Sequence, residues 1–300
     1  MAKRVLLAVN DRARKGAEAK ARAAEAFRAH GHEVVEVQLD ASRDGLSKAI
    51  VAHRDDVDVV VVGGGDGTLL TALDGLIETK LPLAILPLGT FNELARTLGV
   101  PTDPKAVAAL VDDGVPLALD VGRVNGVHYL NEASVGLSTR VTRLQTGKIK
   151  RRLGMLAVPV TTLRALRWAR PMNLEIEAED GGKRVVRAVQ LTVANSYRFG
   201  GVVENPEASL EDGRLWLYSI DVERWWHTIG LLLAILAHRF PHAPDTLAVR
   251  GQRFVVRSVS GSRHRVYADS EPIARLPAEF SIVKLGITVL VPPNRVSAIR

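Results

Sequence analysis

Four consecutive valines, Val59 to Val62, run straight into Gly63-Gly64-Gly65-Asp66-Gly67-Thr68-Leu69. A β-branched run with no polar residue to face water reads as a strand buried on both faces, and such strands belong to parallel sheets covered by helices. The glycines remove Cβ atoms where the strand gives way to a helical pattern, so main-chain N–H groups can approach an anion closely. The stretch therefore calls for an α/β fold with an anion-accepting turn.

The turn matches neither of the two common glycine loops. Counting from Gly63, the dinucleotide spacing G-x-G-x-x-G needs glycine at 68, where Thr68 stands, and the P-loop needs Gly-Lys at 68 and 69, where Thr-Leu stands. Asp66 is the odd residue, because a carboxylate beside phosphate is repulsive unless it binds a metal, a metal-bound water or a hydroxyl. It points to magnesium; the competing reading is a plain strand-to-helix turn with an aspartate N-cap.

Residues 1–120 alternate strand and helix patterns around this turn. VLLAVN, HEVVEVQL, VDVVVV and LPLAILPL read as strands, separated by helices near Lys15 to His30, Leu46 to His53, LLTALDGLIE, and Asn92 to Leu98. This predicts a doubly wound parallel sheet. From about Leu117 the runs become shorter and alternate (LALDVGRV, HYLNEASV, NLEIEAE, RAVQLTVANS, RLWLYSI, RFVVRSV, HRVYAD, ITVLVP), with turns at Asp180-Gly181-Gly182 and Glu211-Asp212-Gly213. They predict a β-rich, antiparallel second domain, with helical stretches near Arg151 to Trp168 and Val222 to Phe240. The expected domains are residues 1–122 and 123–300, with roughly the last ten residues packing back on the first.

The chain has no cysteine, which excludes a disulfide framework, a thiolate metal site and a cysteine nucleophile and fits a reducing compartment, the cytoplasm by default. MAKRVLLAVN reads as a first buried strand rather than a signal peptide, and the longest apolar run, Ile229 to Ala237, is too short to span a bilayer. The formal net charge of +7 favours acidic partners. Between Ala133 and Leu174 nine Lys/Arg, from Arg140 to Arg170, occur with no Asp or Glu, which suits either a solvated helix face or an anion-contact surface. The tract contains no nucleic-acid recognition module.

A second turn, LAILPLGTFNELAR (Leu83 to Arg96), is again a buried strand entering a Pro/Gly/Thr turn before a helix. Two such turns at neighbouring strand ends would line one crevice. GGDGT (Gly64 to Thr68) followed by PLGTFN (Pro87 to Asn92) resembles the diacylglycerol kinase catalytic family, which includes bacterial lipid kinases and the sphingosine and ceramide kinases; the first motif alone is shared with NAD kinases. LDVGRVNG, YLNEASVG, ANSYRFGG, NPEASLEDGRL and YADSEPI (Tyr267 to Ile273) carry the likeness through nearly the whole chain.

The resemblance implies a phosphofructokinase-like nucleotide domain followed by an antiparallel β-sandwich-like domain that takes the lipid. It implies ATP and Mg2+ as cofactors and γ-phosphate transfer to a lipid hydroxyl, with diacylglycerol or a similar glycerolipid first and sphingoid or ceramide-type lipids next. Phosphate contacts fall to Gly63, Gly64, Gly65, Asp66, Gly67, Thr68, Gly89, Thr90 and Asn92, with Asn10 and Gln38 toward the nucleotide. Catalytic magnesium falls to Asp66 and Asp120, with Asn92 or Glu93 nearby. A structural magnesium falls to the side chain of Asp212 and the carbonyls of Ser209 and Arg214, where an ordinary Asp-Gly turn is the alternative.

Asp269 and Glu271, two apart, would share one face of an extended segment, with Glu271 favoured as the base and Asp269 as its rival. Trp225-Trp226 with the apolar run 229–237, and the basic tract, would meet an anionic membrane from the inner face; core packing explains the apolar run equally well. An edge strand in either domain would support a homodimer. Three departures stand out: NDRARKG lacks the family's Pro and small residues, Glu93 replaces an aspartate, and Ser270 replaces the glycine between Asp269 and Glu271. Two rival functions remain, an NAD kinase-like enzyme and a non-catalytic lipid- or nucleotide-binding regulator.

Overall fold

The computed structural model describes residues 2–10, 16–37, 42, 44–90, 92–137, 170–196, 198–199, 203–221, 246–269 and 271–294. The chain divides into two compact units, Met1–Val121 with Val283–Arg300, and Gly122–Ile282.

The first unit alternates β1 (Arg4–Val9), α1 (Gly16–Ala29), β2 (Glu33–Val37), α2 (Gly45–Ala52), β3 (Val59–Gly64), α3 (Asp66–Thr79), β4 (Leu83–Pro87) and α4 (Glu93–Thr97). Then come α5 (Pro104–Asp113) and β5 (Val115–Val124), which continues into the second unit. The strand order is β2-β1-β3-β4, all parallel. Both faces are covered, as the unbroken apolar strands demand. Val5, Leu7, Val9, Val59, Val61, Ala84 and Leu86 form one core with Ala23, Ala24 and Phe27 of α1 and Val107, Ala108 and Val111 of α5. The alternate residues Leu6, Ala8, Val60, Val62 and Ile85 are equally buried. Helices α2 and α3 pack together, and Gly75 permits it: a Cβ there would meet the Ser47 carbonyl oxygen at 2.6 Å.

The second unit contains β6 (Val127–Tyr129), β7 (Glu132–Gly136), β8 (Met172–Ala178), β9 (Lys183–Ala188), β10 (Gln190–Ala194), β11 (Arg198–Phe199) and β12 (Val203–Glu204). They are followed by β13 (Leu215–Ile220), β14 (Thr246–Gly251), β15 (Arg253–Ser258), β16 (Arg265–Ala268), β17 (Glu271–Arg275) and β18 (Ala278–Val291). One antiparallel sheet runs β14-β13-β10-β7-β16-β17. In the other, β9, β8, β15 and the beginning of β18 are neighbours. From residue 283 onward β18 belongs to the first unit, where Val289 pairs with Leu83 in parallel. Asn125 (φ 47°) and Gly126 (φ 86°) make the two-residue turn between β5 and β6, the Asn-Gly hairpin geometry.

This is the α/β doubly wound plus antiparallel β-rich class that the sequence patterns predict. Helix α5 is absent from those patterns, although Asp103-Pro104 announces it: the Asp103 carboxylate accepts the Ala106 N–H at 3.3 Å and Pro104 takes the first helical position.

Candidate active site

In the sheet order β2-β1-β3-β4, the chain leaves β1 in opposite directions, so the switch point lies between β1 and β3. Ligands of open α/β sheets bind outside the carboxyl ends of strands at such a point. Asn10 follows β1 and its N–H donates to the Gly63 carbonyl at 2.9 Å, while its side chain reaches the Thr68 hydroxyl at 3.4 Å. The N–H groups of Thr68 and Leu69 donate to the Gly65 carbonyl at 2.9 and 3.2 Å, and Gly67 at the start of α3 is exposed, with nothing within 4 Å of the place a Cβ would take. Backbone and helix dipole together make this an anion-accepting surface.

The second glycine turn is pressed against the first. The Leu88 N–H donates to the Gly64 carbonyl at 2.9 Å. A Cβ on Gly89 would stand 2.5 Å from the Gly65 Cα and 2.6 Å from the Asn92 Oδ1, so only glycine fits. Asn92 is in the left-handed region (φ 48°) and closes the turn on itself: its Oδ1 accepts the Gly89 N–H and its Nδ2 donates to the Gly89 carbonyl, both at 2.9 Å. Thr90 is exposed beside it.

Asp66 joins the two turns. Its Oδ1 accepts the Glu93 N–H at 2.8 Å, so a carboxylate on the first residue of α3 caps α4. Burial raises its pKa above the usual carboxylate value, against the opposing pull of main-chain N–H groups from Glu93, Leu94 and Asn92. A cation beside this carboxylate would offset the desolvation. Asp120, on β5 in the same unit, is buried, and its Oδ1 accepts the N–H of Leu285 at 2.8 Å, where β18 passes through a left-handed residue (φ 47°). Both carboxylates thus carry a structural hydrogen bond. Among the described residues no three His, Asp or Glu side chains gather as a metal cluster.

In the second unit the expectation that Asp269 and Glu271 share one extended face is corrected. Strand β16 ends at Ala268 and β17 begins at Glu271, with Ala268 paired to Glu271, so Asp269 lies in the hairpin turn and Glu271 opens the returning strand. Asp269 itself is left-handed (φ 45°). Its Oδ2 accepts the Leu130 N–H at 2.7 Å, and its Oδ1 accepts those of Asn131 at 2.9 Å and Glu132 at 3.2 Å. Three main-chain donors make Asp269 the anchor of the β6–β7 connection. Glu271 is exposed. Tyr129, fully buried below, has its phenol pushed well up by burial and by the negative charges of Asp269 and Glu132.

Asp212 sits in the turn before β13. Its Oδ1 accepts the Arg214 N–H at 2.9 Å, its Oδ2 accepts the Arg250 guanidinium at 2.8 Å, and Gly213 is left-handed (φ 66°). The Ser209 hydroxyl accepts the Glu211 N–H at 3.2 Å.

With this geometry in view, comparison with known proteins gives a consistent result. The diacylglycerol kinase catalytic domain matches residues 4–124, and the YegS C-terminal NAD kinase beta sandwich-like domain matches residues 131–291. The chain belongs to the diacylglycerol kinase catalytic-domain family. A diacylglycerol kinase of Bacillus subtilis (strain 168) is 28% identical over 274 residues, covering 90% of this chain and 89% of that protein. One from Mycobacterium tuberculosis (strain ATCC 25618 / H37Rv) is 29% identical over 270 residues, covering 87% and 86%. The crystal structure of a diacylglycerol kinase from Bacillus anthracis str. Sterne shares the fold with a TM-score of 0.76 at 23% identity, over 97% of this chain and 98% of that one.

The structure interlocks Gly63 to Thr68 with Gly89 and Asn92 and brings Asn10 to Thr68; Thr90 and Asp120 lie in the same first unit, and Asp269, Glu271 and the Asp212 turn lie in the second. Gln38, Ser270, the basic residues Arg140 to Arg167, Trp225-Trp226 and the run 229–237 lie outside the described residues. The sequence reading missed Arg250 and the three amides that hold Asp269. Nothing local signals them, since the partners stand 38 residues from Asp212 and 137 to 139 from Asp269.

Proposed function

We propose that this chain is a lipid kinase that transfers the γ-phosphate of ATP to a lipid hydroxyl, with diacylglycerol or a similar glycerolipid as acceptor. The observation that carries the proposal is the interlock of Gly63–Thr68 with Pro87–Asn92 at the carboxyl ends of adjacent parallel strands. The names of the curated relatives supply the substrate class.

Phosphoryl transfer needs positioning and electrostatic stabilisation more than covalent chemistry. The segment Gly64 to Thr68 and the Thr90 hydroxyl would hold the phosphates, with Asn10 fixing Thr68. Magnesium would be held by Asp66 and Asp120 with water, as suits an ion that takes one or two carboxylates plus phosphate oxygens. When bound it supplies the positive charge that the transferring phosphoryl group requires. We assign Glu271 as the acceptor of the lipid hydroxyl proton, and Asp269 as a positioning residue, because the Asp269 oxygens already receive three N–H groups. The hydroxyl oxygen bonds to the γ-phosphorus, the bond to the β–γ bridging oxygen breaks, ADP leaves, and the proton passes to Glu271.

No helix among the described residues is long and apolar enough to cross a membrane. The lipid would be met by peripheral contact with an anionic surface, a role we assign to the basic tract, and homodimerisation would use an unpaired sheet edge.

The test is transfer of label from γ-labelled ATP to a panel of diacylglycerols, sphingoid bases, ceramide and NAD in magnesium, with Asp66→Ala and Glu271→Ala beside the native chain. Label on diacylglycerol that both variants lose is the expected result. Label on NAD alone, or on nothing, would overturn the assignment.

A further inference from the structure

The family resemblance assigns a structural magnesium to the turn before β13, and the donors in this chain do not fit one. A divalent cation at that turn needs the Asp212 carboxylate as its anionic ligand, since the remaining donors are carbonyls. Both carboxylate oxygens are engaged: Oδ1 by the Arg214 N–H at 2.9 Å and Oδ2 by the Arg250 guanidinium at 2.8 Å. A permanent cation 2.8 Å from this carboxylate repels a second cation at the same group.

Arg250 is held in place by more than this contact. It stands on β14 directly opposite Trp216 of β13, with its guanidinium carbon 5.9 Å from the Trp216 ring centroid. Trp216 in turn stacks on Tyr218, the centroids 6.0 Å apart and the planes 7° from parallel. Tyr218 fastens the far end of the same segment, because its hydroxyl accepts the Asn205 side-chain N–H at 2.6 Å, while Asn205 accepts the Glu207 N–H at 3.0 Å. One row of side chains therefore grips residues 205–214 at both ends.

We propose that Arg250 replaces the divalent cation at this turn, neutralising Asp212 and closing the 205–214 segment without metal. The inference does not depend on the kinase assignment, since it concerns folding and metal binding in the absence of nucleotide.

The test uses the full chain without ATP, followed by thermal unfolding in EDTA and in millimolar magnesium, and by terbium luminescence sensitised through tryptophan. The native chain and Asp212→Asn should respond identically to magnesium and terbium. Arg250→Gln should lower the melting temperature in EDTA by about 2–4 °C, then gain a magnesium-dependent recovery and a terbium signal that the added Asp212→Asn abolishes. A native chain whose melting temperature rises with magnesium, or which sensitises terbium, in a way that Asp212→Asn removes would overturn the proposal. So would an Arg250→Gln chain as stable in EDTA as the native one.

Discussion

The carboxylate of Asp66 accepts the main-chain N–H of Glu93 at 2.8 Å, tying the first residue of α3 to the first residue of α4. The aspartate that most suggests a metal in the sequence is therefore also a helix cap, though of a helix other than its own. The two roles have different chemical requirements, because the cap needs only an oxygen acceptor whereas magnesium needs a negative charge.

Substitution separates them. Asp66→Asn keeps an acceptor for Glu93, so the fold should be retained while magnesium-dependent transfer falls by at least about 10²-fold. Asp66→Ala should lose transfer and also about 1 kcal/mol of stability, the usual cost of a lost cap. The sign of the pH dependence follows from the raised pKa. The folded state then favours the protonated acid, so ionisation penalises the native chain above that pKa and the penalty vanishes below the ordinary value of 3.8. Without metal, Asp66→Asn should match or exceed the native chain in stability near neutral pH and lose that advantage on acidification, as urea unfolding across pH would show.

The two acids of the β16–β17 hairpin should divide in the same manner. Asp269→Ala leaves the N–H groups of Leu130, Asn131 and Glu132 without their carboxylate and should cost about 2–3 kcal/mol. Glu271 is exposed, so Glu271→Gln should stay within about 0.5 kcal/mol of native stability and lower kcat by about 10²–10⁴-fold as a lost base. Denaturant melts paired with lipid kinase assays decide the matter. Equal loss of activity in Asp269→Asn and Glu271→Gln, with no loss of stability in either, would contradict the assignment of Asp269 as a positioning residue.

Two glycines of the phosphate turns should behave in opposite ways. A Cβ on Gly89 would collide with backbone at Gly65, so Gly89→Ala must push the turns apart and should cost about 10²-fold in kcat/KM. Gly67 has open space where its Cβ would go and lies within α3, so Gly67→Ala should gain about 0.5–1 kcal/mol in stability. The same space is where phosphate would approach, and KM for ATP should rise. A stable Gly67→Ala chain with unchanged KM would move the phosphates away from the start of α3.

These residues also show what was legible in the sequence. Strands β1 to β4 were readable because burial on both faces leaves an unbroken apolar run, and the glycine turns were readable because a close main-chain approach admits no other residue. The short range of such signals is their limit. The cap from Asp66 to Glu93 spans 27 residues and the hold of Asp269 on Leu130 spans 139, so neither leaves a periodic trace. Two acids at i and i+2 share a face only if the backbone between them is extended, and the left-handed Asp269 breaks that premise.

Tyr129 offers a further test of how the second unit is packed. A Cβ on Gly122 would lie 2.2 Å from the Tyr129 Cζ, so the ring lies flat on the backbone of the paired strand. Its hydroxyl is buried with no hydrogen-bond partner among the described residues. Such a group costs about 1–3 kcal/mol of desolvation, whereas the ring's contacts do not need the oxygen. Tyr129→Phe should therefore raise stability, while Gly122→Ala should lower it by about 1–3 kcal/mol through overpacking. Adding Tyr129→Phe should leave most of the Gly122→Ala loss in place, because the Cβ collides with ring carbons rather than the hydroxyl. A double-mutant cycle measured by urea unfolding would read this directly, and a destabilised Tyr129→Phe chain would show that the hydroxyl is satisfied in solution.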